Sequence, residues 1–89
     1  MTRYRITNDA LSASLSDGAV LLNLYTKRYF SLNDTASRIW TLLERHASED
    51  EIVDTLVGEY EVELPEAKQA VRRLLDDLLA ERLIEPTST

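Results

Sequence analysis

Residues 11–16, Leu-Ser-Ala-Ser-Leu-Ser, alternate apolar and polar positions with a period of two, the pattern of a half-buried strand. Asp17-Gly18 follows and predicts a hairpin, because a type I′ turn needs the positive φ that glycine supplies at little cost. Residues 19–25 read as the return strand, with Val20, Leu22 and Leu24 on one face and Leu21, Asn23 and Tyr25 on the other. Thr26-Lys27 reads as a second tight turn into a third strand over residues 28–32, where Phe30 and Leu32 share one face and Tyr29 and Ser31 the opposite one. An additional extended piece around Tyr4 to Thr7 is only weakly signalled.

At residue 33 the period becomes helical. Asn33 is a good N-cap, Asp34 suits the positive end of the helix dipole, and Ala36, Ile39, Trp40 and Leu43 recur at helical spacing, which predicts a helix over 34–45. Ser48 with Glu51 three residues on has the form of a capping box for a second helix, whose stripe is Ile52, Val53, Leu56 and Tyr60. Leu64-Pro65 opens a third, since proline is tolerated in a first turn. On it Ala67, Val71, Leu74 and Leu78 cluster on one face; Leu75 and Leu79 extend the stripe toward Lys68 and Arg72, while Glu66, Arg73 and Asp77 lie on the other flank. Leu83-Ile84 would close the core before Pro86. The predicted class is α+β and winged-helix-like, a three-stranded antiparallel sheet followed by three helices.

Composition narrows what this unit can do. Eighty-nine residues, 44% of them hydrophobic and with only two prolines and two glycines, suit a single folded domain over 1–89 with its core at about 10–85. The absence of cysteine excludes a disulfide scaffold, a thiolate nucleophile and a thiolate zinc site. No apolar run approaches the roughly 20 residues of a membrane span, and the first residues lack a signal peptide's apolar stretch, so a soluble, cytoplasmic protein with no membrane partner is expected.

The net charge of −6 is unevenly spread: Arg3, Arg5, Lys27 and Arg28 outweigh Asp9 and Asp17 in the first thirty residues, so the helical remainder is strongly acidic. A winged helix often binds DNA, and that reading asks for a basic outward face on the third helix. Between residues 61 and 85, Lys68, Arg72, Arg73 and Arg82 face seven acids, a poor surface for a phosphate backbone. A DNA-binding regulator is therefore the weaker alternative, and no nucleic-acid partner is expected.

Candidate chemistry is sparse. His46 stands alone near a helix end, without a recognisable nucleophile pairing, and is better read as a cation capping that terminus. Glu49-Asp50-Glu51 lies in a first helical turn, where acids favour the dipole, and lacks the spacing and glycine of a calcium loop. Gly18 and Gly58 are isolated, so no phosphate loop is present, and Trp40 sits on an apolar stripe, where an aromatic is more often core. These residues predict no enzyme, no catalytic residue, no metal and no cofactor.

The succession G-A-V-L-L-N-L-Y-T-K-R-Y-F-S-L-N-D-T-A-S-R-I-W-T-L-L, then E-D-E-I-V-D-T-L, then A-V-R-R-L-L-D-D-L-L-A-E-R-L-I resembles the PqqD-like family of peptide-recognition domains, the RiPP recognition elements. Within it, K-R-Y-F-S-L-N and A-S-R-I-W look most like the discrete leader-binding protein of a split lasso-peptide B system. The quinone-pathway branch commonly has an Asp-Gly turn between the first two helices, where this chain has Arg45-His46-Ala47; a peptide chaperone for a radical enzyme of that pathway is the first alternative, ahead of the DNA-binding regulator.

The resemblance implies that a precursor's leader peptide adds as a strand beside the third strand and packs against the third helix. It implies a binding edge of Arg28, Tyr29, Phe30, Ser31 and Leu32 and a facing wall of Lys68, Arg72, Leu75, Asp76 and Leu79. Leu75 and Leu79 would help receive the apolar groups of a Tyr-x-x-Pro leader, and Lys68, Arg72 and Asp76 would set polar specificity. It further implies delivery to a separate cysteine leader peptidase, followed by a cyclase that closes the lactam ring, the cyclase being a further candidate partner.

Overall fold

A computed structural model describes residues 3–87. Its elements are β1 (Arg3–Ile6), β2 (Ala10–Leu15), β3 (Gly18–Asn23), β4 (Arg28–Leu32), α1 (Asp34–Glu44), α2 (Glu49–Tyr60), α3 (Leu64–Ala80) and β5 (Ile84–Thr87). The antiparallel sheet β2-β3-β4 is followed by three helices, the predicted α+β arrangement. Beneath them, β1 pairs antiparallel with β5, so the weakly signalled extended piece becomes one arm of a ribbon whose other arm is contributed by the segment after α3.

The first hairpin turns one residue earlier than the Asp17-Gly18 signal suggests. Leu15 pairs with Gly18, so Ser16 and Asp17 form the turn and Gly18 begins β3. Glycine is needed there for space: a Cβ at Gly18 would collide with the main-chain carbonyl oxygen of Leu32 on β4. The second turn is longer than Thr26-Lys27, because β3 stops at Asn23 and residues 24–27 form the loop. The Asn23 carboxamide oxygen accepts from the N–H groups of Tyr25 and Thr26, and Lys27 closes the loop at φ 65°.

On β3 the face turned inward is Ala19, Leu21 and Asn23, all buried. β2 adds little to the core: Leu11 and Leu15 are each more than half exposed on the outer face, and the serines on the inner side are exposed too. The core is built from Leu21, Ile39, Leu43, Ile52, Leu56, Val71, Leu75 and Leu83, with Trp40 against them.

Helix starts follow the sequence signals. The Asn33 side chain accepts from the N–H of Ala36, and Ser48 and Glu51 form a complete reciprocal capping box. The end of α1 corrects the reading of His46. Its imidazole is exposed, while its main chain adopts φ 63°, donates to the Leu43 carbonyl and accepts from the Arg3 guanidinium at 2.6 Å. The terminus is thus capped by a left-handed backbone and a distant arginine.

Candidate functional site

β4 is an edge strand. It pairs with β3 on one side, from Ala19 opposite Leu32 to Asn23 opposite Arg28, and has no strand on the other among the described residues. Alternate residues of such a strand direct N–H and C=O groups outward, a template for one more strand. Because Asn33 caps α1 directly after β4, the inner face of the strand and the first turns of α1 form one continuous wall.

α3 supplies the opposite wall, and the two enclose a groove made of two adjoining cavities. One, of about 330 Å³, lies between Phe30, Ser31 and Leu32 of β4 and Leu74 and Leu78 of α3 with Glu81 just past its end. The other, of about 480 Å³, lies between Asn33, Ala36 and Ile39 and the α3 residues Glu66, Ala70 and Arg73. Leu74 and Asp77 border both, so the cavities run on from one another along α3. The floor is apolar and the rims are polar, the usual composition of a site that buries part of a ligand and orients the rest.

The end of the groove near the β3-β4 loop is held by Asn23. Its side-chain amide donates to the Glu81 carbonyl at 2.8 Å, tying the hairpin to the end of α3. Outside that bond the Arg28 guanidinium lies 3.6 Å from the Glu81 carboxylate and 5.5 Å from the centre of the Phe30 ring. Such an exposed pair adds little stability, but it holds Arg28 against Phe30 and Glu81, two residues that line the smaller cavity.

The five β4 residues expected in a site do form the edge. Phe30, Ser31 and Leu32 line the groove, Arg28 lies against Phe30 and Glu81, and Tyr29 stands 71% exposed on the outer face. Of the expected helix wall, none of Lys68, Arg72, Leu75, Asp76 and Leu79 lines either of these two cavities, but Arg72 and Asp76 border a third, of about 350 Å³, together with Gln69, Arg73 and Asp77. Leu75 is fully buried, and Arg72 is bound on the far flank to Glu49 at 2.8 Å, to the Tyr4 phenol at 3.4 Å and to Asp76 at 2.9 Å. The flank that borders the groove is the one carrying Glu66, Arg73, Leu74 and Asp77, of which Leu74 and Asp77 face β4 while Glu66 and Arg73 face Asn33 and α1.

Helical periodicity locates the apolar centre of α3 but treats its two flanks alike, since Leu74 borders one and Leu79 the other. Which flank meets β4 depends on how α2 and the ribbon pack, and no local pattern records that. The role of Asn23 was also hidden, because a buried asparagine in a strand looks like any polar position until its partners are known.

The outer face of the sheet is a second feature. Leu11 of β2, Leu22 of β3 and Tyr29 of β4 stand side by side across it, with Ala13 and Val20 in the next row. No helix among the described residues is long and apolar enough to cross a membrane.

Residues 18–84 match the family described as "Coenzyme PQQ synthesis protein D (PqqD)". No curated protein matches the chain. Two solved structures are similar over nearly the whole length. "TbiB1 in Complex with the TbiA(beta) Leader Peptide" is 38% identical with a TM-score of 0.88, covering 96% of this chain and 99% of that one. "Lasso peptide synthetase B1 complexed with the leader peptide" is 30% identical with a TM-score of 0.84, covering 93% and 98%. With an edge strand facing a helix-walled groove and a match over residues 18–84, the chain belongs to the PqqD family.

Proposed function

We propose that this protein recognises the leader of a ribosomally made precursor peptide, in lasso-peptide biosynthesis, by accepting it as a fourth strand along β4 in the groove facing α3. The observation that carries this reading is the unpaired β4 edge opening onto a preformed apolar groove, in a chain 38% identical over 96% of its length to a leader-bound protein. Main-chain hydrogen bonds would give the guest its alignment, at only about 0.5–1.5 kcal/mol net each. The apolar floor of Phe30, Leu32, Leu74 and Leu78 supplies the burial that lifts binding above the cost of ordering a flexible peptide.

In this reading the protein is a carrier without chemistry of its own. It holds the leader for a separate cysteine peptidase, and a cyclase acts on the freed core peptide. The family's description points toward a quinone coenzyme, whereas the two full-length structural relatives are leader complexes, one of them of a lasso peptide synthetase. The latter are the more specific likeness and favour the lasso pathway. The site as proposed keeps Arg28, Tyr29, Phe30, Ser31 and Leu32 and takes Leu74, Asp77 and Glu81 as the helix wall.

The test is a fluorescence-anisotropy titration with the synthetic leader of the cognate precursor peptide. Saturable binding at or below the tens of micromolar is expected; a flat titration there contradicts the reading.

A further inference from the structure

Two consecutive charge pairs lie along α3 at the same spacing but in different states. Arg72 and Asp76 close on one another at 2.9 Å. Arg73 and Asp77, each one residue further on, have the same four-residue separation, which favours an ion pair on a helix. Yet neither has an ion-pair partner among the described residues, and both are exposed. Both stand on the rim of the groove, Arg73 where it runs on past β4 between Asn33, α1 and α3, and Asp77 where the two cavities meet. The next acid along that rim, Glu81, is already matched by Arg28.

The spacing of the open pair suits an extended guest. Four residues of helix rise about 6 Å. Two residues of strand rise about 6.8 Å and return the side chain to the same face. A strand lying along α3 therefore presents successive groove-facing side chains at nearly the interval that separates Arg73 from Asp77.

We propose that Arg73 and Asp77 are specificity-determining residues that read a pair of opposite charges on the leader, an acidic side chain against Arg73 and a basic one against Asp77, two positions apart on the guest strand. This rests on the leader-binding reading above. The apolar floor decides whether a strand binds, and this pair decides its register and its direction. A guest shifted by two residues, or reversed end to end, sets like charges against each other.

The experiment uses the full chain and the synthetic leader of the cognate precursor peptide. Lys-x-Glu and Glu-x-Lys are placed at successive positions along that leader, and each peptide is titrated against the wild type and against the charge-swapped double variant Arg73→Glu/Asp77→Arg, whose fold is checked by its melting curve. At one register the wild type should prefer one order over the other by about tenfold at low salt, shrinking as salt rises. The double variant should invert the preference. If the parent leader binds but no register shows a preference, or the preference survives the swap, charge reading is wrong while leader binding stands. If the parent leader does not bind at all, both fall.

Discussion

The side-chain amide of Asn23 donates to the main-chain carbonyl of Glu81 at 2.8 Å, joining the β3-β4 hairpin to the end of α3 across 58 residues of sequence. The same side chain accepts from Tyr25 and Thr26 at 2.9 and 3.1 Å, and the residue is 2% exposed. Asn23→Ala leaves these partners without their bonds in a shielded place, so it should destabilise the fold by about 1–3 kcal/mol. Urea unfolding followed by the fluorescence of Trp40, the single tryptophan and itself buried, measures this. A loss below about 0.5 kcal/mol would mean that the clamp contributes nothing.

Adjacent leucines on α3 should separate stability from binding. Leu75 is fully buried, and Leu75→Ala should cost about 2–5 kcal/mol whether or not a leader is present. Leu74 borders both cavities, so Leu74→Arg should fill the groove, weaken leader binding at least about tenfold and leave most of the stability in place. Paired melting curves and anisotropy titrations check both variants. Equal effects of the two on binding at matched folded fraction would place the guest on another flank.

Gly18→Ala should destabilise the protein by about 1–3 kcal/mol, the range for overpacking, because the new methyl group meets the Leu32 carbonyl. Relief requires β4 to move, so the variant should also bind leader less well than its melting temperature alone predicts. Binding measured well below the melting transition distinguishes the two effects.

Acid should weaken the start of α2. The Glu51 carboxyl lies below its ordinary 4.5, first because it accepts the Ser48 main-chain N–H and second because of the Ser48 side chain, with Arg3 adding to the shift. A lowered folded pKa means the contribution is complete above 4.5 and disappears as pH falls through the folded value. The wild type should accordingly lose melting temperature faster than Glu51→Gln below about pH 4.5. Parallel slopes from pH 6 to pH 3 would show that the box is not pH-linked. Ser48→Ala, which removes the cap at every pH, should cost about 1 kcal/mol.

What could be read from the sequence divides along a physical line. The caps at Asn33 and Ser48, the proline in the first turn of α3 and the alternation of Phe30 with Tyr29 are local, because each depends on residues within four positions. The Asp17-Gly18 signal located the hairpin, but the glycine answers to Leu32, fourteen residues away, and the turn shifted accordingly. Pairing of β1 with β5, burial of Asn23 and the choice of α3 flank all join distant segments. For that reason the edge formed by β4 is legible, while the surroundings of α3 are not: that Arg72 is bonded to Glu49 and Tyr4 follows from no residue near it in sequence.

The sheet offers a guest strand two edges, β2 and β4. Amide hydrogen exchange, read residue by residue with and without the synthetic leader, decides between them. Strand addition at the groove predicts new protection at alternate amides within Arg28–Leu32 and unchanged exchange along Ala10–Leu15. Protection that appears on β2, or saturable binding that leaves β4 exchanging as before, would contradict it.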